Sequence, residues 1–239
     1  VGLPRFPFVT IHDDPLTDGI CAEGEWLQRC AALQRPSAHL WRGTEGLVVP
    51  RRYTALPGWA AAVAVLPPGR VQVRASGGGL VPQGEGVWNL SLMWPVPAAA
   101  PSGTDALYAA LCDAFAAAFA RLGIVAGARP VDGSFCDGRF NLAVGGRKLV
   151  GTAQAWKRVA GVPVVLVHAV FVVTADPDAL TARANDFEAR LGTPTRYRAD
   201  ALTSVAREAP GVDVESRTLQ LIAERFAQLV RPGEYSDRF

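Results

Sequence analysis

The chain has 239 residues, 49% of them hydrophobic, and a net charge of +2. That length can hold a sizeable core in one domain spanning 1–239, and a near-neutral balance with no long basic run argues against nucleic acid as a partner. No run of roughly eighteen uninterrupted apolar residues is present, so no membrane span is expected.

In chain order, Leu16–Ala32 is expected to be a helix from the spacing of Ile20, Trp26, Leu27 and Cys30, with Asp13-Asp14-Pro15 able to start it. Short β-like runs follow at His39–Arg42, Gly46–Arg52, Trp59–Leu66, Val71–Ala75 and Gly86–Pro95, separated by proline and glycine. In the last of these, Trp88, Leu90, Leu92 and Trp94 alternate with Val87, Asn89, Ser91 and Met93, which is the period of a strand. Thr104–Leu122 is the clearest helix, capped by Ser102 or Thr104 and stopped at Gly123. Strand Phe140–Val144 leads to a hairpin signal at Gly145-Gly146, and Val162–Thr174 is a long apolar strand with His168 at its centre. Ala175–Leu191 and Val214–Val230 are expected to be helices joined by an extended piece around Arg196–Val205. Strands outnumber helices and come mainly as meanders. The fold class is therefore α+β, with a mixed, largely antiparallel sheet flanked by helices.

Cys21, Cys30, Cys112 and Cys136 show neither metal-ligand spacing nor a dense disulfide framework. Reduced thiols, no metal and a cytoplasmic location are expected. Cys112 sits within a helix as a small hydrophobe. Cys136 differs, because Ser134-Phe135-Cys136-Asp137-Gly138-Arg139 is a loop where a thiol can act as a nucleophile or stay inert.

Of the 24 basic residues only Lys148 and Lys157 are lysines. A lysine kept against that bias points to a task that needs a compact ammonium instead of a planar guanidinium. Lys148 stands in Gly145-Gly146-Arg147-Lys148-Leu149-Val150-Gly151-Thr152-Ala153-Gln154, where Gly151, Thr152 and Ala153 leave room beside it. Upstream, Arg74-Ala75-Ser76-Gly77-Gly78-Gly79 follows a strand, and its uncovered backbone N–H groups can approach a phosphate or carboxylate. It is neither a GK[ST] phosphate loop nor a GxGxxG dinucleotide loop. His168, alone in an apolar strand, reads either as a satisfied core histidine or as a ligand-facing group.

RASGGG, then a strand, a helix, and NLAVGGRKLVGTAQ before a histidine-bearing strand, resembles the lipoate–protein ligase A and octanoyltransferase family over roughly residues 20–200. That resemblance implies the catalytic domain shared with biotin protein ligases. It also implies transfer of a lipoyl or octanoyl group to a lysine of lipoyl domains in 2-oxoacid dehydrogenases or of the glycine-cleavage H protein. In the ligase form, Arg74, Ser76, Gly77, Gly78 and Gly79 would line an acyl-adenylate made from ATP and Mg2+. Lys148 would reach its carbonyl and phosphate, with Asn141, Gly151, Thr152, Ala153 and His168 as further binding positions. The tryptophan-bearing strand Gly86–Pro95 would wall the acyl slot. A fixed ammonium and exposed N–H groups aimed at developing negative charge are what such a reaction needs.

The sequence departs from the ligases where Leu80-Val81-Pro82-Gln83-Gly84-Glu85 replaces a run ending in histidine and aspartate. The extra C-terminal domain of the longer ligases is not expected either. Cys136 lies roughly where cysteine-dependent octanoyltransferases of the family place their nucleophile. The alternative is therefore transfer of octanoyl from acyl carrier protein through a thioester on Cys136, with no cofactor. A third expectation is a non-catalytic homologue that binds a lipoyl or biotinyl nucleotide.

Overall fold

The long apolar run Val162–Val172 lies at the middle of the architecture. The computed structural model describes residues 3–75, 78–97, 103–136 and 138–227. In chain order the first half comprises β1 (Thr10–Ile11), α1 (Gly19–Leu33), β2 (Ser37–Trp41), β3 (Gly46–Pro50), a 3-10 turn at Arg51–Ala55, α2 (Trp59–Ala64), β4 (Val71–Arg74), β5 (Val81–Gln83) and β6 (Val87–Pro95). The second half comprises α3 (Thr104–Ala120), β7 (Gly127–Ala128), β8 (Leu142–Val144), β9 (Arg147–Val159), β10 (Val162–Val172), α4 (Pro177–Leu191), a 3-10 turn at Ala199–Ala201, α5 (Val205–Glu208) and α6 (Val214–Phe226).

Among the described residues the strands form a seven-stranded sheet in the order β1-β2-β6-β10-β9-β8-β7 and a three-stranded sheet in the order β4-β3-β5. Every pairing in the large sheet is antiparallel except β1 with β2, so the expected mixed, largely antiparallel α+β fold is found. β10 has both faces covered, because its alternate residues serve two different layers. Val165, Val167, Ala169 and Phe171 enter the core under α3 and α6, where the rings of Phe115 and Phe171 meet at 5.4 Å. The other face packs Leu166 against α1 and turns Val170 and Val172 toward the small sheet and α4.

Two expectations need correction. Trp59–Leu66 is not a strand: Trp59–Ala64 is helix α2, packed on α4 through buried Ala62. Its run of alanines favours a helix, and short apolar runs carry no periodicity that separates the two states. Nor does Thr104 cap α3. Gly103 occupies the cap position without a side-chain bond, Thr104 is the first helical residue, and Ser102 lies outside the described residues. The last expected residues of the C-terminal helix, 228–230, also lie outside the described residues.

Helix α1 begins at an Asp18 cap, whose carboxylate accepts the N–H of Cys21 at 2.9 Å, a turn later than expected. Its inward face carries Ile20, Glu23, Leu27 and Cys30, spaced three or four residues apart. The helix is held on β2 by Trp26, which stacks on His39 with ring centroids 4.0 Å apart. The His39 ring also meets His12 at 3.1 Å and the Ser37 hydroxyl at 2.9 Å.

Burial, reinforced by His12 and Arg29, pushes His39 down from 6.5 to about 3. The unfolded chain therefore takes up a proton at His39 in a range where the folded chain does not. Stability from this group is complete above pH 6.5 and is lost as pH falls toward about 3, at most about 1.4 kcal/mol per pH unit. Denaturant unfolding from pH 7.5 down to 4.5 is expected to show a flatter stability slope for His39→Gln than for the unmodified chain.

Candidate active site

A cleft of about 1070 Å³, counting the part open to solvent, lies between the two sheets. One wall comes from the large sheet, where Gly151 and Ala153 of β9 stand beside His168 and Val170 of β10. The facing wall comes from Val48, Arg74, Val81 and Gln83 of the small sheet, and α1 contributes Ile20 and Glu23. The lining is mainly aliphatic, which suits a hydrocarbon chain.

Lys148 enters this cleft from the start of β9, in the hairpin that Gly145 and Gly146 close. The residue is only 6% exposed, and a buried ammonium needs hydrogen-bond acceptors to offset its lost hydration. Its Nζ donates to the carbonyl of Phe135 and, at 2.9 Å, to that of Cys136. The main chain of Lys148 is fixed as well, since its carbonyl accepts the N–H of Thr203 at 2.9 Å. A Cβ on Gly151 would stand 3.0 Å from both Cε and Nζ of Lys148, so the glycine makes the space in which the lysine lies.

Cys136 also lines the cleft, half-buried, with φ of 53°. A side chain rarely adopts this left-handed conformation, which costs on the order of 1 kcal/mol. Its carbonyl is held by two donors, Lys148 Nζ and, at 3.0 Å, Asn141 Nδ2. Gly78, at φ of +98°, separates the thiol from Arg74: a Cβ there would come within 2.9 Å of both Cys136 Sγ and Arg74 Nη2. The guanidinium is fixed by carbonyls of Val48 at 3.1 Å and Gly79 at 2.6 Å. Burial lowers its pKa from the ordinary arginine value, and the neighbouring Cys136 opposes that shift.

Elsewhere on the cleft, four residues from separate elements form a chain of hydrogen bonds. Trp41 Nε1 donates to Ser91 Oγ at 2.9 Å, and Ser91 Oγ donates to Glu23 Oε1 at 2.7 Å. The same carboxylate oxygen meets His168 Nδ1 at 2.7 Å. Burial alone would raise the Glu23 pKa, but the His168 ring and the bonds from His168 and Ser91 outweigh it and hold the group below its ordinary 4.5. Gln83 and Asn89 add a second polar pair, with Asn89 Nδ2 donating to Gln83 Oε1 at 2.8 Å.

Most of the residues singled out in the sequence meet here. Arg74, Cys136, Lys148, Gly151, Thr152, Ala153 and His168 all line the cleft. Gly78 and Gly79 pack against Cys136, and Asn141 holds the Cys136 carbonyl from a buried position. Ser76 and Gly77 lie outside the described residues. His168 lines the cleft and is also paired, with Glu23. The expected tryptophan wall is reversed: Trp88 and Trp94 enter the core beneath α3, and β6 turns Val87 and Asn89 to the cleft. Glu23, Trp41 and Gln83 were not expected at the site, and no local motif marks them.

The Lipoyl protein ligase A/B catalytic domain family matches residues 65–226 of the chain. An uncharacterised protein of Cupriavidus necator is 41% identical over 210 residues, 82% of this chain and 81% of its own. An octanoyl-[GcvH]:protein N-octanoyltransferase of Kyrpidia tusciae is 37% identical over 211 residues, 82% of this chain and 70% of its own. A lipoate-protein ligase A bound with ATP has the same fold, with a TM-score of 0.61 over 94% of this chain and 85% of its own, at 15% identity. The chain belongs to the lipoyl protein ligase A/B catalytic-domain family, a class of lipoate–protein ligases and octanoyltransferases. Among the described residues no helix is long and apolar enough to cross a membrane.

The geometry at Gly151 yields a direct test. Gly151→Ala places its methyl against the far end of the Lys148 side chain and displaces the ammonium from its carbonyls. Acyl transfer is expected to fall by at least about tenfold with the thermal unfolding midpoint lowered but the chain still folded, measured on the same preparations.

Proposed function

We propose that the chain is one catalytic domain that moves an octanoyl group between proteins through a thioester on Cys136, without ATP. The observation that carries this reading is Cys136 itself, set in the cleft in a left-handed backbone conformation with its carbonyl held by Lys148 and Asn141. The octanoyltransferase of Kyrpidia tusciae, similar over 82% of this chain, gives the donor and acceptor their class. The donor is octanoyl on a lysine of the glycine-cleavage H protein, and the acceptor is a lysine of a 2-oxoacid dehydrogenase lipoyl domain.

In the first step Cys136 Sγ attacks the octanoyl carbonyl. The C–S bond forms, the amide C–N bond breaks, and the thiol proton leaves with the released amine. In the second step the neutral acceptor amine attacks the thioester. A new amide forms, the C–S bond breaks, and the amine's proton restores the thiol. Each attack develops negative charge on the acyl oxygen. Lys148 supplies the fixed positive charge for it, and the glycine loop at Gly78 and Gly79 supplies close backbone approach. Gly151, Thr152 and Ala153 leave room for the acyl group. His168, paired with Glu23, forms part of the wall along its hydrocarbon chain.

The ATP-dependent ligase is the competing reading. It would use the same Lys148 with an acyl-adenylate and Mg2+, and would leave Cys136 idle. Intact-mass spectrometry after incubation with octanoyl-H protein, in the absence of ATP, separates the two. An adduct of one octanoyl group is expected on the unmodified chain and not on Cys136→Ser. Lipoate transfer that needs MgATP and survives Cys136→Ser would overturn the thioester reading. Lys148→Arg is expected to lose at least about 100-fold in transfer rate while folding normally, because a guanidinium cannot occupy the same point-charge geometry.

A further inference from the structure

Glu188, on α4, is fully buried, and the partners of its carboxylate are hydroxyl groups. Oε1 accepts from Tyr53 at 2.6 Å and from Tyr197 at 2.8 Å, and Oε2 accepts from Thr193 at 2.5 Å. A buried carboxylate is costly unless its lone pairs are satisfied, and an apolar residue would cost less if filling space were the only need. What the carboxylate does is hold two tyrosines from different elements. Burial pushes Tyr53 up to about 12 and raises Tyr197 as well, each with Glu188 as a further cause, so both remain O–H donors.

Tyr197 is held more firmly than a single bond would require. One turn before Glu188 on the same helix face, Asn185 Oδ1 accepts the N–H of Tyr197 at 2.8 Å, and Asn185 Nδ2 donates to its carbonyl at 2.9 Å. From this anchorage the Tyr197 ring meets Phe135 edge-on, with centroids 4.8 Å apart. Phe135 precedes Cys136 and gives Lys148 one of its two carbonyls. The next residue, Arg198, donates its N–H to the Gly133 carbonyl at 2.8 Å, which adds a hydrogen bond onto the same loop. The Tyr197 hydroxyl also lies 3.7 Å from where a Cβ on Gly79 would stand. Tyr197 thus stands beside Gly79 of the glycine loop while its ring contacts Phe135 of the cysteine loop.

We propose that Tyr197, anchored to α4 by Glu188 and Asn185, is a positioning residue that sets the place of Cys136 relative to the glycine loop. The proposal rests on the reading of Cys136 as the acyl-carrying thiol. Tyr53 gives Glu188 the same kind of bond from the 3-10 turn of the small sheet, so Tyr53→Phe controls for loss of that bond.

The experiment measures iodoacetamide alkylation of Cys136, resolved from the other cysteines by peptide mass spectrometry, together with octanoyl transfer and thermal unfolding of the full chain. Tyr197→Phe is expected to slow Cys136 alkylation by about tenfold and to lower kcat similarly, with KM within about twofold. Tyr53→Phe is expected to lower the unfolding midpoint without slowing alkylation. Unchanged alkylation in Tyr197→Phe, or a slowing shared equally by Tyr53→Phe, would overturn the proposal. Should Tyr197→Phe fail to fold, Phe135→Leu removes the ring contact and keeps the hydroxyl network. Slow alkylation there supports the proposal and normal alkylation overturns it. If the unmodified chain accepts no octanoyl group, the thioester reading fails, and the alkylation contrast still decides whether Tyr197 positions the thiol.

Discussion

The site depends on one buried cation and the carbonyls that receive it. Lys148 has lost nearly all contact with solvent, and its ammonium is satisfied by the main chain of Phe135 and Cys136. Each partner needs the other. Without the carbonyls the ammonium would face a desolvation cost of several kcal/mol. Without the ammonium, Cys136 would keep its unfavourable backbone conformation with one fewer bond to hold it. The choice of lysine follows from that geometry. Three donors on a compact head can serve two adjacent carbonyls beside Gly151, whereas a planar guanidinium would need more room.

The fold supplies this arrangement from elements far apart in the chain. β9 delivers Lys148, the loop after β7 delivers Cys136, and β4 delivers Arg74, each pinned through main-chain bonds. The second polar group of the cleft is assembled from still greater distances. Glu23 and His168 are 145 residues apart, and Ser91 and Trp41 complete their bonds. A cleft with a largely apolar lining therefore contains two fixed electrostatic features, one around Cys136 and one around Glu23. The aliphatic surface can take up an acyl chain, and the polar groups fix its orientation.

How much of this was legible depended on whether a residue's signal was local. Lys148 could be found from the arginine bias and the glycine hairpin, and Cys136 from its loop setting. Both signals sit within a few residues. Glu23 carried none, because a single carboxylate on an amphipathic helix looks like any solvated one until β10 brings His168 against it. The strand period of β6 was clear, but both of its faces are buried, so the sequence could not say which one meets the cleft. Asn141 was recognised as a polar residue near the site. Its action on the Cys136 carbonyl, instead of on the cleft wall, required the loop's path. The strand expected at Trp59 failed for a related reason, since an apolar run of that length takes its state from what it packs on, and here it packs on α4.

A transferase that serves two protein substrates must keep the acyl group between encounters. A thioester does so covalently, and splits one acyl exchange between lysines into two attacks at the same carbon. That demands a sulfur that keeps one place while the carrier proteins change. Cys136 is held from three directions: Lys148 and Asn141 on its carbonyl, Gly78 and Gly79 packed against it, and Tyr197 on the ring of the preceding residue. Under the proposed thioester reading, these restraints on one loop cysteine keep the sulfur in place between the two attacks.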